Sequence, residues 1–159
     1  MKLTAMNAFH ALSLALLLLS QSGPALADHK PAASIPTAVL IQAADLAASL
    51  KSASAPQPLL LHVGFHKLYT QAHIPNSEYV GAANDDAGLQ LLRNRVAKLS
   101  KDAAIVIYCG CCPWGDCPNI AAAYDTLHAL GFTQVRVLYI AENFGDNWVN
   151  QGYPVVKGG

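Results

Sequence analysis

The sequence predicts an α/β protein in which a parallel sheet is flanked by helices. Short, continuous apolar runs, typical of buried parallel strands, alternate along the chain with segments of helical periodicity. Parallel neighbours need crossover connections, and helices between strands supply them. The composition agrees, because 53% of the 159 residues are hydrophobic and only 13% are charged. That balance excludes a chain that is disordered over most of its length and fits one domain with one core.

The predicted elements follow in a regular order. Three apolar runs bounded by turn residues are predicted strands: residues 59–63, 103–108 and 134–140. Three segments with apolar residues at steps of three and four are predicted helices: residues 42–50, 88–100 and 119–130. Shorter helical turns are predicted near residues 67–71 and 144–150. Gly131 follows the third helix and suits the left-handed conformation that ends many helices.

The first 27 residues have the pattern of an export signal. Lys2 gives a positive start, residues 11–19 form a short apolar run, and Ala25-Leu26-Ala27 fits the small-residue cleavage rule. We therefore expect removal of residues 1–27 and a periplasmic or secreted protein. The apolar run is shorter than the roughly 20 residues of a membrane span, so no span is expected in the mature protein. An uncleaved amphipathic anchor is the alternative.

The remaining chain divides into a short linker and one domain. Residues 28–36 are rich in Pro and Ala and are predicted to be a linker, and residues 37–159 are predicted to be the domain. Ten basic residues balance ten acidic residues, which argues against nucleic-acid binding, since that needs a basic surface. The sequence has no P-loop or dinucleotide fingerprint, and we expect no cofactor.

All four cysteines lie between Cys109 and Cys117, in the run CGCCPWGDC. This segment connects a predicted strand to a predicted helix, at the edge of the sheet where α/β proteins bind ligands. The N-terminus of the following helix favours anions and thiolates. Three hypotheses are open: disulfides that staple the loop, a soft-metal site for Cu(I) or zinc, and a nucleophilic thiolate with sulfur or redox chemistry.

From Leu59 to Val155 the chain resembles the rhodanese-like domains, the sulfurtransferase fold. Ala72-His73-Ile74-Pro75-Asn76-Ser77 stands where the family has Gly-His-Ile-Pro-Gly-Ala. The other matching segments follow in the family's order: residues 59–63, 105–109, 121–123, 130–132 and 135–138, Trp148, and residues 152–155. The resemblance implies a three-layer fold with a mainly parallel, five-stranded sheet. It also implies sulfur transfer from a donor such as thiosulfate or a persulfide to a thiol or other acceptor, through a cysteine persulfide.

The resemblance assigns the nucleophile to Cys109. Cys112 and Cys117 are extra to the family pattern, and a second thiol near a persulfide makes each of them a candidate resolving or alternative nucleophile. The expected substrate-binding loop comprises Gly110, Cys111, Trp114, Gly115, Asp116 and Asn119. A small sulfur donor, a thiol acceptor and a periplasmic redox protein are the expected partners, and no resident metal is expected. The alternative function is a non-enzymatic periplasmic module that binds copper through its thiols or docks with a redox partner.

The chain departs from the family pattern at three places. Its cysteine loop is longer than usual and contains Asp116 but no Arg or Lys, where the family has an arginine that binds the donor anion. His62-Val63-Gly64 replaces the usual Asp-Val-Arg, and Glu142-Asn143-Phe144 lies where a Gly-Gly pair normally precedes the tryptophan. Of the nearby histidines, we expect His62 and His66 to be one packed and one solvated, and His73 to brace a loop.

Overall fold

The computed structural model describes residues 32–52 and 56–159. The predicted export signal at residues 1–27 and the first part of the predicted linker lie outside the described residues. Within the described ranges, no helix has both the length and the hydrophobicity that crossing a membrane requires.

The described chain alternates strands and helices. The strands β1–β5 are Leu40–Ile41, Leu59–His62, Glu78–Tyr79, Ile105–Tyr108 and Val135–Leu138. The α-helices α1–α4 are Ala43–Lys51, His66–Gln71, Asp86–Val96 and Pro118–Ala129. Short 3-10 turns occur at Ala32–Ser34, Thr37–Val39 and Trp114–Asp116, and a π-helical turn spans Gly145–Val149.

The five strands form one sheet in the order β1-β5-β4-β2-β3, and every pairing between them is parallel. The central strand β4 pairs with β2 and β5, with Ile107 opposite Leu61 on one side and Val137 on the other. The predicted parallel sheet is therefore confirmed. Strands β1 and β3 have two residues each, which is too short to give a hydrophobic pattern, and only the resemblance implied five strands.

Side chains of β4 alternate between two cores, one on each face of the sheet, as strand geometry requires. Ile105 and Ile107 pack into the core that α3 and α4 cover, together with Leu92 and Leu127. Val106 and Tyr108 face the opposite core, which contains Leu46 of α1 and the fully buried Trp148 of the π-helical turn. Helices thus cover both faces, and the expected three layers are confirmed.

The predicted linker at residues 28–36 ends inside the folded domain. Ala32 and Ile35 are buried in the core that also contains residues of α4. Their apolar side chains gain about 25 cal/mol for each Å² of apolar surface removed from water. A Pro/Ala-rich composition concealed this packing, because the two buried residues are too few to show a periodicity.

The carboxyl end of β4 is fixed to a neighbouring loop through Tyr108. Its hydroxyl accepts a hydrogen bond from the Ile74 backbone N–H at 3.1 Å and pairs with the Ser77 hydroxyl at 2.7 Å. His73, in the same segment, makes a 2.8 Å hydrogen bond through Nδ1 with the Tyr69 carbonyl and braces the loop as expected. The matched His-Ile-Pro segment therefore holds the strand end from which the cysteine loop begins.

Candidate functional site

Cys109 is the first residue after β4, and its side chain is buried against Gly64. A Cβ atom at position 64 would lie only 2.5 Å from the Cys109 sulfur and 3.1 Å from Cε1 of His62. Glycine at this position therefore leaves the space that the sulfur occupies. This contact gives a physical reason for a glycine at position 64, the last residue of the His62-Val63-Gly64 segment.

The chain turns back at Gly110, which has a positive φ of 75°. A side chain there would meet Cβ of Phe144 at 2.7 Å, and the Gly110 carbonyl accepts a hydrogen bond from the Phe144 N–H at 3.0 Å. Glycine adopts this conformation without the steric cost that a Cβ adds. The turn brings Cys111 back towards Cys109.

The loop gathers three cysteine sulfurs into one cluster. The sulfur atoms of Cys109, Cys111 and Cys117 all lie within 4.8 Å of one another, and those of Cys111 and Cys117 are 3.9 Å apart. We call these three residues the sulfur triad. Cys112 lies beside it, with its sulfur 3.0 Å from that of Cys111. All four cysteines are free thiols, so the structure contains no disulfide among them.

Asn119, in the first turn of α4, is fully buried beside the triad. Its side-chain N–H₂ group donates to the sulfurs of Cys109 at 3.5 Å and Cys111 at 3.7 Å. Its Oδ1 accepts a hydrogen bond from the Asn84 backbone N–H at 3.0 Å. Because Oδ1 already has that donor, the amide is oriented with both N–H bonds available to the sulfurs.

The hydrogen bonds of the cluster favour a thiolate at Cys111 over one at Cys109. Hydrogen bonds from the thiols of Cys109, Cys117 and Cys112, and from the Asn119 amide, hold the pKa of Cys111 well below the ordinary cysteine value. The hydrogen bond to Cys111, then that to Cys117 and burial, raise the pKa of Cys109. The sequence led us to expect a thiolate in this loop, and these opposite shifts favour Cys111 as its position, with a thiol at Cys109 next to it.

A cavity of about 340 Å³ opens beside the two sulfurs. Its walls come from β2, α2, the start of the cysteine loop and the segment around Phe144, and they comprise His62, Leu68, Gln71, Ala72, Cys109, Gly110, Cys111, Asn143, Phe144, Gly145 and Val149. Most of this surface is apolar. Among the described residues that line it, no Lys or Arg is present.

His62 is the buried histidine of the cavity wall, and His66 is exposed. Burial lowers the pKa of His62 to about 4, so its ring is neutral at neutral pH. The rings of Tyr108 and Tyr69 pack against it, with centroids 5.0 Å and 5.4 Å away. One histidine is packed and one is solvated, as expected, and His62, the histidine that lines the cavity, brings no positive charge to its wall.

The rest of the predicted substrate-binding loop lies away from the cavity. Trp114 donates its backbone N–H to the Ala141 carbonyl at 2.9 Å and packs its ring 5.1 Å from that of Tyr139. Gly115 and Asp116 are exposed at the outer tip of the loop. Cys117 immediately precedes α4 and is buried in the core beneath the loop.

Sequence reasoning missed most of the cavity wall. The wall segment at Asn143 and Phe144 was visible only as a departure from the family pattern, as was Gly64 beside the Cys109 sulfur. Leu68 and Gln71 of α2 gave no signal, because a short helical turn does not show which of its faces meets a neighbouring loop. Their place depends on the fold of α2 over the end of β2.

Several solved structures share this fold. The BH2092 protein of Bacillus halodurans aligns with a TM-score of 0.56 at 21% identity, covering 74% of this chain and 75% of that chain. The Alr3790 protein of Anabaena aligns at 0.57 and 21%, covering 74% and 92%. A thiosulfate sulfurtransferase from Pseudomonas aeruginosa aligns at 0.55 and 21%, covering 76% of this chain but 20% of that chain. At these identities the likeness shows a shared fold.

The sequence itself matches a family model. Residues 42–139 match the rhodanese-like domain, a range that contains the whole sheet beyond β1 and the complete cysteine loop. No curated protein matches the chain. Because the matched range covers more than half of the chain and the solved structures agree with it in fold, the chain belongs to the rhodanese-like domain family.

Proposed function

We propose that the chain is an exported sulfurtransferase that passes a sulfane sulfur atom to a thiol through a persulfide on Cys109. The position of Cys109 carries the proposal: it directly follows β4, and its sulfur borders the cavity next to the Cys111 thiolate. A persulfide forms when a sulfur nucleophile reaches the outer sulfur of a donor and its proton has an acceptor. The cavity supplies access, and the departing thiolate of the donor takes the proton.

In the loading step, the Cys109 sulfur attacks the outer sulfur of an organic persulfide, R–S–SH. A new S–S bond forms, the S–S bond of the donor breaks, and its electron pair leaves with the inner sulfur as RS⁻. The Cys109 proton is transferred to this RS⁻ leaving group. The products are RSH, a persulfide on Cys109 and the original thiolate on Cys111.

The transfer step reverses this order. An acceptor thiol attacks the outer sulfur of the Cys109 persulfide. Cys109 leaves with the electron pair of the broken bond and takes the proton that the acceptor thiol loses. Throughout, the Asn119 amide donates to both sulfurs, so a donor is in place wherever the negative charge moves.

The lining of the cavity favours a donor of low charge. Thiosulfate is a dianion, and the described wall offers it no Lys or Arg, a neutral His62 and a neighbouring thiolate. Like charges repel strongly where water is excluded. Apolar walls at Leu68, Phe144 and Val149 suit an organic persulfide instead.

The test compares cysteine variants of the reduced chain under anaerobic conditions. With a small-thiol persulfide as donor, we expect Cys109→Ser to lose sulfur transfer and Cys112→Ser to retain it. Circular dichroism and thermal unfolding establish that both variants are folded. If sulfur transfer survives in Cys109→Ser and is lost in Cys112→Ser, the nucleophile is Cys112, outside the cavity, and the assignment to Cys109 is wrong.

A further inference from the structure

Sulfur transfer as described above uses Cys109 and Cys111 and gives no role to Cys117. Yet Cys117 is buried, and its sulfur faces the other two instead of packing only against apolar groups. A buried structural cysteine needs no sulfur neighbours, since it behaves as a small hydrophobic residue. The convergence of three free sulfurs therefore needs a separate explanation.

The spacing of the triad fits a single metal ion. Metal–thiolate bonds of about 2.3 Å, the length found for zinc, place three sulfurs about 4 Å apart around an ion in their plane. The Cys111 and Cys117 sulfurs are already 3.9 Å apart, and none of the three distances exceeds 4.8 Å. Small side-chain rotations would complete a three-coordinate site.

We infer that Cys109, Cys111 and Cys117 form a binding site for one Cu(I) ion. An all-thiolate ligand set selects soft ions, of which Cu(I) accepts three ligands. Structural zinc is almost always four-coordinate, and no His, Asp or Glu of the described residues joins the group. Cys112, which lies close to Cys111, is not among the three sulfurs that are all within 4.8 Å of one another.

The surroundings of the triad suit an anionic metal–thiolate group. Asn119 donates N–H groups to two of the three sulfurs, in the way that outer groups commonly orient and support metal ligands. Cys117 precedes the first turn of the twelve-residue helix α4, whose N-terminal end has a partial positive charge. The cavity at Cys109 and Cys111 gives the ion a path to the site.

The inference rests on the sulfur geometry and not on the proposed sulfur transfer, which needs the copper-free protein because both use Cys109 and Cys111. Reduced protein that has never met a sulfur donor is titrated anaerobically with Cu(I) against a coloured Cu(I) chelator. We expect one tightly held Cu(I) per chain and X-ray absorption from three sulfur neighbours at about 2.3 Å. Two sulfur neighbours, or no competition with the chelator, would overturn the triad.

Matched variants identify the ligands. Cys117→Ser is expected to lose the tight site, whereas Cys112→Ser, the neighbouring cysteine outside the triad, is expected to keep one Cu(I) with three sulfur neighbours. If Cys112→Ser loses the tightly held copper, Cys112 is itself a ligand, and the assignment to the sulfur triad is contradicted. If zinc binds in preference to Cu(I) in the unaltered chain, the choice of ion is wrong. Sulfur transfer measured in parallel on copper-free protein shows separately whether the proposed function fails.

Discussion

Replacing Gly64 by alanine tests whether close packing sets the position of the reactive sulfur. The new methyl group would lie 2.5 Å from the Cys109 sulfur and 3.1 Å from Cε1 of His62. Non-bonded heavy atoms ordinarily stay about 3.5–4 Å apart, so the sulfur must move by about 1 Å. It cannot simply retreat, because Asn119 and Cys111 lie against it.

A displacement of about 1 Å at a reacting atom can slow an enzymatic step by about 100-fold. We therefore expect Gly64→Ala to load sulfur on Cys109 about 100-fold more slowly, measured by rapid quenching and mass analysis. Overpacking should also cost about 1–3 kcal/mol of the free energy of unfolding. Gly115→Ala is the stability control, because its methyl group would meet no atom within 4 Å. A folded Gly64→Ala protein that loads sulfur at the unaltered rate would refute the reasoning.

Three further predictions concern groups around the site. Asn119→Asp keeps an acceptor oxygen but removes the amide donor to the sulfurs. Sulfur loading on Cys109 should slow about 10-fold or more, which is the cost of one hydrogen bond to a charged group. An unchanged loading rate in stopped-flow kinetics would count against a role for this amide. Tyr108→Phe leaves a buried backbone N–H without its partner and should cost about 1–3 kcal/mol in urea unfolding. The hydrogen bond and charge of Arg95 lower the pKa of Glu78. The pair therefore stabilises the fold above the ordinary glutamate pKa of about 4.3, and this contribution disappears as pH falls through the lowered pKa. Glu78→Gln should lower the free energy of unfolding by less than about 1 kcal/mol at neutral pH, because the pair is partly exposed, and this difference should vanish in acid.

The strands and helices were predictable from the sequence where they are long enough to show a pattern. The run at residues 103–108 contains β4, and the predicted helix at residues 119–130 nearly coincides with α4, because apolar runs and helical spacing are local properties. Strands β1 and β3 were not visible individually, since a strand of two residues has no period.

The candidate site was only partly predictable. The cysteine loop stood out by composition alone, and Asn119 was already expected in it. Which sulfurs converge depends on the positive φ of Gly110 and on the space beside Gly64. Neither the backbone angle nor the close contact can be predicted from the order of residues. Trp114, Gly115 and Asp116 were expected to contact substrate because they lie in the loop, yet they form a 3-10 turn and none of them lines the cavity.

The most direct test of the account is to find where a donated sulfur atom resides. Reduced protein is treated with one equivalent of a small-thiol persulfide and alkylated, and the cysteine-loop peptide is sequenced by tandem mass spectrometry. The account predicts one added sulfur atom on Cys109, and none on the loop of the Cys109→Ser variant. An added sulfur on Cys111, Cys112 or Cys117 instead of Cys109 in the unaltered protein, or no added sulfur on any cysteine, would contradict it.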